Sequence, residues 1–242
     1  MSIQEYIAAQ RANIASISQL PHFSKLGNLT DRLYEVGVTL VPNSSPPHFG
    51  QLLLICHRSF LSAITLIGQA QPDDAASISR RAIEAARLAL AVKTNPENAT
   101  QWVAYEKRLE RWQARDRGEK PKPLAPKLVL PRDHPILPDL EKYLGIFSDS
   151  AVHFSPEYFG RQHWIRDATR LELRYFTSDQ RAIECSLITL IGIHGSILRI
   201  FDECLEGSFF SDGQWMQIWK QTTIDGHSLA APFKPTEEPN GP

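Results

Sequence analysis

The chain predicts a mainly α fold, a helical bundle with one minor strand or hairpin element, and three observations lead there. Apolar residues recur at three- and four-residue spacing through several long segments, the repeat of a helix with one buried face. Those segments are bracketed by helix punctuation, such as Pro72-Asp73-Asp74 at a start and Asn95-Pro96 at an end, where proline and acids fit a first turn and a following proline stops the helix. Period-two alternation, the mark of a strand, is confined to residues 168–176. With 242 residues, 42% hydrophobic and 22% charged, there is enough apolar material for one core. The expected organisation is a single helical domain over 1–227, with a Pro-rich basic connection at 116–138, and a disordered tail at 228–242.

The N-terminal stretch MSIQEYIAAQRANIA carries an early acid and no apolar run, so it does not read as a secretory signal. Cys56, Cys185 and Cys204 are odd in number, lack metal-ligand spacing and fall in apolar helical runs, the habit of reduced core thiols. The expected location is cytoplasmic. The longest apolar run, residues 52–67, contains His57 and Arg58 and falls short of the roughly 18 to 20 residues a membrane span needs, so no membrane partner is expected. Leu53, His57, Phe60, Leu61 and Ile64 form its apolar face, opposite Gln51, Arg58, Ser62, Thr65 and Gln69. This puts His57 on the core side.

The next helix begins at Pro72 and holds seven alanines between Ala75 and Ala91, which gives it high propensity and a thin surface for close neighbours. Ile78, Arg81, Ala85, Leu88 and Val92 share one stripe, with Glu84 three residues beyond Arg81 and within reach on the same surface. Two arrangements are open. Arg81 is buried and paired with Glu84, or it snorkels to solvent and meets Glu84 at the rim. The stripes together predict burial for His57, Arg81 and His194.

Residues 100–117 form another helical repeat, with Trp102, Tyr105, Leu109 and Trp112 on one face and charge on the other. Six prolines between Pro121 and Pro138 then exclude a regular helix until after Pro138. Across 107–132, nine Lys or Arg stand against Glu110, Asp116 and Glu119 in a chain whose formal charge is −1. Such an excess is either a contact for nucleic-acid phosphates or a solvated linker.

A short helix follows and runs into His153, with Leu140, Leu144, Phe147 and Ala151 as its buried stripe. Asp149 lies four residues before His153, so its carboxylate can rest on the imidazole and raise its basicity; a histidine at a helix end is also an ordinary structural arrangement. In 168–176, Leu171, Leu173 and Tyr175 alternate with Glu172, Arg174 and Phe176, and this strand needs a partner: the region of Val129, that of His163, or a second copy. Ser178-Asp179 caps the longest helix, whose stripe is Ile183, Leu187, Leu190, His194, Leu198, Phe201 and Leu205.

Two long helices rich in small and aliphatic residues, one carrying Arg81-x-x-Glu84, precede a helix ending Ser148-Asp149-x-x-x-His153 and a long closing helix. Over residues 51–206 this resembles the HEPN-related families of bacterial helical proteins. The resemblance implies metal-independent RNA cleavage through an Arg-x4-6-His signature, commonly at a dimer interface, within a defence or toxin system. His153 stands at the signature histidine. The arginine's place is held by Phe147, Ser148 or Asp149, so the positive charge must come from elsewhere, and Arg81 is the candidate. Candidate catalytic residues are therefore His153, Arg81, Asp149 and Glu84, with RNA and a second copy of the chain as candidate partners. No cofactor or metal is expected, because phosphate-loop, dinucleotide, Cys-x-x-Cys, His-Glu-x-x-His and Gly-x-Ser-x-Gly patterns are absent from the sequence. The alternative to an RNA-binding or RNA-cleaving protein is a non-catalytic helical interaction module whose polar residues set register alone.

Overall fold

The computed structural model describes residues 1–99, 105–120, 130–131, 133–148, 163–167, 170–173 and 175–233, with backbone alone for 105–109 and for the strands. The protein is a mainly α helical bundle. Its described helices are α1 (Ile3–Ile17), α2 (Phe23–Thr39), α3 (Pro47–Gly68), α4 (Pro72–Thr94), α5 (Tyr105–Asp116), α6 (Leu137–Phe147), α7 (Gln180–Cys204) and α8 (Gly213–Ala230). Between α6 and α7, β1 (His163–Asp167) and β2 (Arg170–Leu173) pair antiparallel, His163 opposite Leu173.

Helix starts follow the local chemistry. Ser2 and Glu5 form a reciprocal capping box on α1, the Ser2 hydroxyl accepting from the Glu5 amide at 3.3 Å and the Glu5 carboxylate from the Ser2 amide at 2.6 Å. Pro47 and Pro72 occupy the first turns of α3 and α4. Asp179 accepts from the Arg181 amide at 2.9 Å to open α7, and Asp212 from the Trp215 amide at 2.8 Å to open α8.

Helices α3 and α4 form the central hairpin, and α7 lies against both. The buried face of α4 is Ala75, Ser79, Ala82, Ile83, Ala86, Ala89 and Leu90, so the small residues themselves are what the neighbours approach. All seven residues of the α7 stripe from Ile183 to Leu205 are buried, His194 included. On α3 the face turns slightly from expectation: Cys56, Phe60 and Ala63 are buried while Leu61 is 41% exposed.

Helix α2 closes the α3–α7 seam. At Gly27 a Cβ would stand 2.6 Å from Ile64 Cδ1, so a larger residue here would have to push the end of the Ile64 side chain aside. Trp215 of α8 is fully buried and its indole N–H donates to the Leu33 carbonyl at 3.1 Å, which fixes α8 on α2. The expectation of a disordered tail from residue 228 is corrected over 228–233, and residues 234–242 lie outside the described residues. Helix α8 runs to Ala230, a 3-10 turn covers Ala231–Phe233, and Leu229 is buried, because nothing breaks the helix before Pro232.

Helices α3 and α7 are also long and apolar enough to cross a membrane by length and composition; α3 has 22 residues because it extends beyond its apolar run. In this fold they are the core helices, with 39% and 50% of the apolar window buried.

Candidate functional site

Three helices bring polar groups together inside the bundle. Asp31 and Tyr34 lie one turn apart on α2, His57 comes from α3 and His194 from α7. The His57 Nε2–H donates to Asp31 Oδ1 at 2.6 Å, and the Tyr34 ring stacks on the His57 ring with centroids 5.0 Å apart. On the inner side, Tyr34 Oη lies 2.6 Å from His194 Nδ1, and both residues are fully buried.

Burial sets the proton positions. It holds the Tyr34 phenol well above its ordinary value, with the Cys56 sulfur adding to the effect. It also drives the His194 imidazole down to about 3, and the neighbouring His57 acts in the same direction. Both groups are therefore neutral near pH 7, and Tyr34 donates to Nδ1. The remaining imidazole proton is then on Nε2, which is buried with no hydrogen-bond partner among the described residues. A neutral, sealed imidazole is a poor acid or base at pH 7. Its evident effect is to hold α2, α3 and α7 in one register.

The two predicted residues of α4 lie outside this cluster. Arg81 is exposed, which corrects the expectation that it is buried. Glu84 pairs with Arg80 at 3.0 Å, in place of Arg81. The reason is the alanine face: with Ala75, Ala82, Ala86 and Ala89 turned to α3 and α7, positions 80, 81 and 84 turn toward solvent. Asp149 and His153 lie outside the described residues. The helix leading to them, α6, ends at Phe147, and its Ser148 hydroxyl donates back to the Leu144 carbonyl at 2.7 Å.

A cavity of about 490 Å³ opens among the α3–α4 turn, α6 and α7, lined by residues that include Gln71, Asp74, Tyr143, Phe147, Phe176 and Cys185. A second, of about 300 Å³, lies among α2, α7 and α8. Neither is lined by Arg81, Glu84, Tyr34, His57 or His194. Among the described residues, no group of three or more His, Cys, Asp or Glu is placed to hold a metal ion.

The basic segment supplies a different kind of surface. Helix α5 shares no extended interface with another described element. Its Trp112 is 72% exposed, and Arg115 and Lys120 are exposed near its C-terminal end. Gly118, at φ 72°, closes the helix in a Schellman turn, in which the Glu119 amide donates to the Ala114 carbonyl at 2.8 Å and the Gly118 amide to Arg115 at 2.9 Å. An indole is ordinarily covered, and among the described residues its exposure beside cations leaves a flat π-face open to a planar partner.

Sequence reasoning missed His134, which is buried at the end of the connection. Its Nδ1 accepts from the Ile136 and Leu137 amides at 3.2 and 3.3 Å, while Nε2–H donates to Glu203 at 2.9 Å. It thus caps α6 and ties the connection to the end of α7. The one available signal was its place three residues before the first residue of a helix. No family model, curated protein or solved structure matches the chain.

Proposed function

We propose that this chain is a helical RNA-binding module that contacts single strands through α5 and the basic connection behind it. The observation that carries this reading is Trp112, 72% exposed on a helix that shares no extended interface with another described element, inside a segment with nine Lys or Arg against three acids. Stacking of one base on an aromatic ring contributes about 1–3 kcal/mol, and flanking cations add salt-sensitive attraction to phosphates. The sealed Tyr34–His194 pair supports a structural part for the inner polar residues.

The test is a titration of fluorescein-labelled single-stranded RNA, followed by anisotropy at several salt concentrations. Wild-type protein should bind at low salt. The triple variant Arg115→Gln, Lys120→Gln, Lys122→Gln should bind more weakly, with a salt slope shallower by about 2, since each lost phosphate contact on a single strand removes roughly 0.7. Absence of binding at low salt would remove nucleic acid from the account.

One observation favours the second reading, a helical interaction module. Leu54 and Leu61 are 46% and 41% exposed and lie two turns apart on α3, an apolar stripe suited to a second copy of the chain. Sedimentation analysis of wild type and Leu61→Glu tests it: a dimer that the substitution dissociates supports this reading, and a wild-type monomer at high protein concentration contradicts it.

A further inference from the structure

Within the basic segment, the acids are as informative as the cations. Three stand among the nine Lys or Arg of residues 107–132, and an anion there opposes the phosphates that the cations would attract. Two are explained by their surroundings. Glu119 is held by Arg117, whose Nε donates to Oε1 at 2.7 Å and whose Nη2 donates to Oε2 at 3.1 Å. Glu110 lies two residues before Trp112 and so faces away from its ring. Asp116 is different. It is exposed, and its carboxylate has no hydrogen-bond or ion-pair partner among the described residues. It is also the last residue of α5, where the helix dipole disfavours an anion. Local stability gives no reason for a carboxylate at this position.

Its place beside the exposed ring does. Asp116 follows Trp112 by four residues in the same helix, so the two share a face with Cβ atoms about 5–6 Å apart. Helical side chains lean toward the N-terminus, which carries the carboxylate back toward the indole. A base stacked on that indole turns its edge to the neighbouring side chains, and there it meets a carboxylate that offers acceptors alone. The bases differ at this edge. Guanine presents N1–H and an N2 amino group side by side, two donors that fit both carboxylate oxygens at once. Adenine and cytosine set an amino donor beside a ring-nitrogen acceptor, and uracil has one N–H between two carbonyls, so each brings an acceptor against the carboxylate.

We infer that Asp116 makes this surface selective for guanine: a guanine of a single strand stacks on Trp112 and donates N1–H and N2–H to the Asp116 carboxylate. The inference rests on the RNA-binding reading above and deepens it by naming the base. Arg115 and Lys120, both exposed, are left for the flanking phosphates.

Anisotropy with fluorescein-labelled oligouridylates tests it, each strand carrying one central guanosine, inosine, adenosine or cytidine, or left unsubstituted. The guanosine strand should bind about tenfold or more tightly than the adenosine, cytidine and unsubstituted strands, the discrimination expected of a bidentate contact. Inosine lacks only the N2 amino group, so it should lose most of that advantage, and this comparison needs no variant. Asp116→Asn, with its fold checked by circular dichroism, should erase the guanosine preference while the unsubstituted strand binds as well as before or better, because a negative charge is gone. Equal wild-type affinity for all strands, inosine matching guanosine, or a guanosine preference retained by Asp116→Asn would each overturn the inference. If Trp112→Ala then still weakens every strand, the RNA-binding reading stands without it. No binding by wild type at low salt would remove both.

Discussion

Replacing His194 by leucine should remove a specific part of the protein's acid sensitivity. In the folded chain the buried imidazole resists protonation until about pH 3, whereas in the unfolded chain it takes a proton below its ordinary value of about 6.5. The unfolded state therefore binds the extra proton throughout that window, and stability falls as pH falls. The loss due to this one group is about 2 kcal/mol between pH 7 and pH 5, and about 4 kcal/mol by pH 3. Against total stabilities of about 5–15 kcal/mol for natural proteins, that is a large fraction. Urea unfolding of wild type and His194→Leu at pH 7 and pH 5 measures it. The variant should be less stable at pH 7, because Tyr34 loses its acceptor, yet it should lose about 2 kcal/mol less than wild type on going to pH 5. Equal losses in the two proteins would refute the reasoning.

Other perturbations separate surface from core. Glu84→Ala should cost under about 1 kcal/mol in a denaturant melt, since its bond to Arg80 joins side chains 51% and 31% exposed; a cost near 3 kcal/mol would mean that Glu84 is buried in solution. His134→Ala should destabilise by about 1–3 kcal/mol, because it strands the Ile136 and Leu137 amides at the start of α6; thermal melting within error of wild type would contradict that capping role. If RNA is cut as well as bound, and His153 with Arg81 does it, His153→Ala should abolish cleavage in EDTA and leave RNA affinity intact. Undiminished cleavage by that variant would exclude His153.

The sequence made the helices of the central core legible because their signals were local. Pro72 and Asp179 marked helix starts, Asn95 an end, and the seven-residue stripe of α7 named its own buried face. Arg81 shows where such reading fails. In a helix with seven alanines the thin side is as apolar as the bulky one, and the face that packs was chosen by the close approach of α3 and α7. The Asp31–His57 and Tyr34–His194 bonds join residues 26 and 160 positions apart, so periodicity along one helix identifies a polar residue on a core face and not its partner. Trp112 marks the same limit. Helical spacing placed it with Trp102 and Leu109 on an apolar face, whereas only the three-dimensional position of α5 reveals an exposed indole.

The most direct test of the RNA-binding account is the affinity of Trp112→Ala for a labelled single-stranded RNA at low salt, with circular dichroism confirming the fold. Trp112 is exposed, so the substitution should leave thermal stability within about 0.5 kcal/mol of wild type. Loss of one stacked base should raise Kd roughly 5- to 150-fold, corresponding to about 1–3 kcal/mol. An unchanged Kd in a folded Trp112→Ala protein would contradict the account.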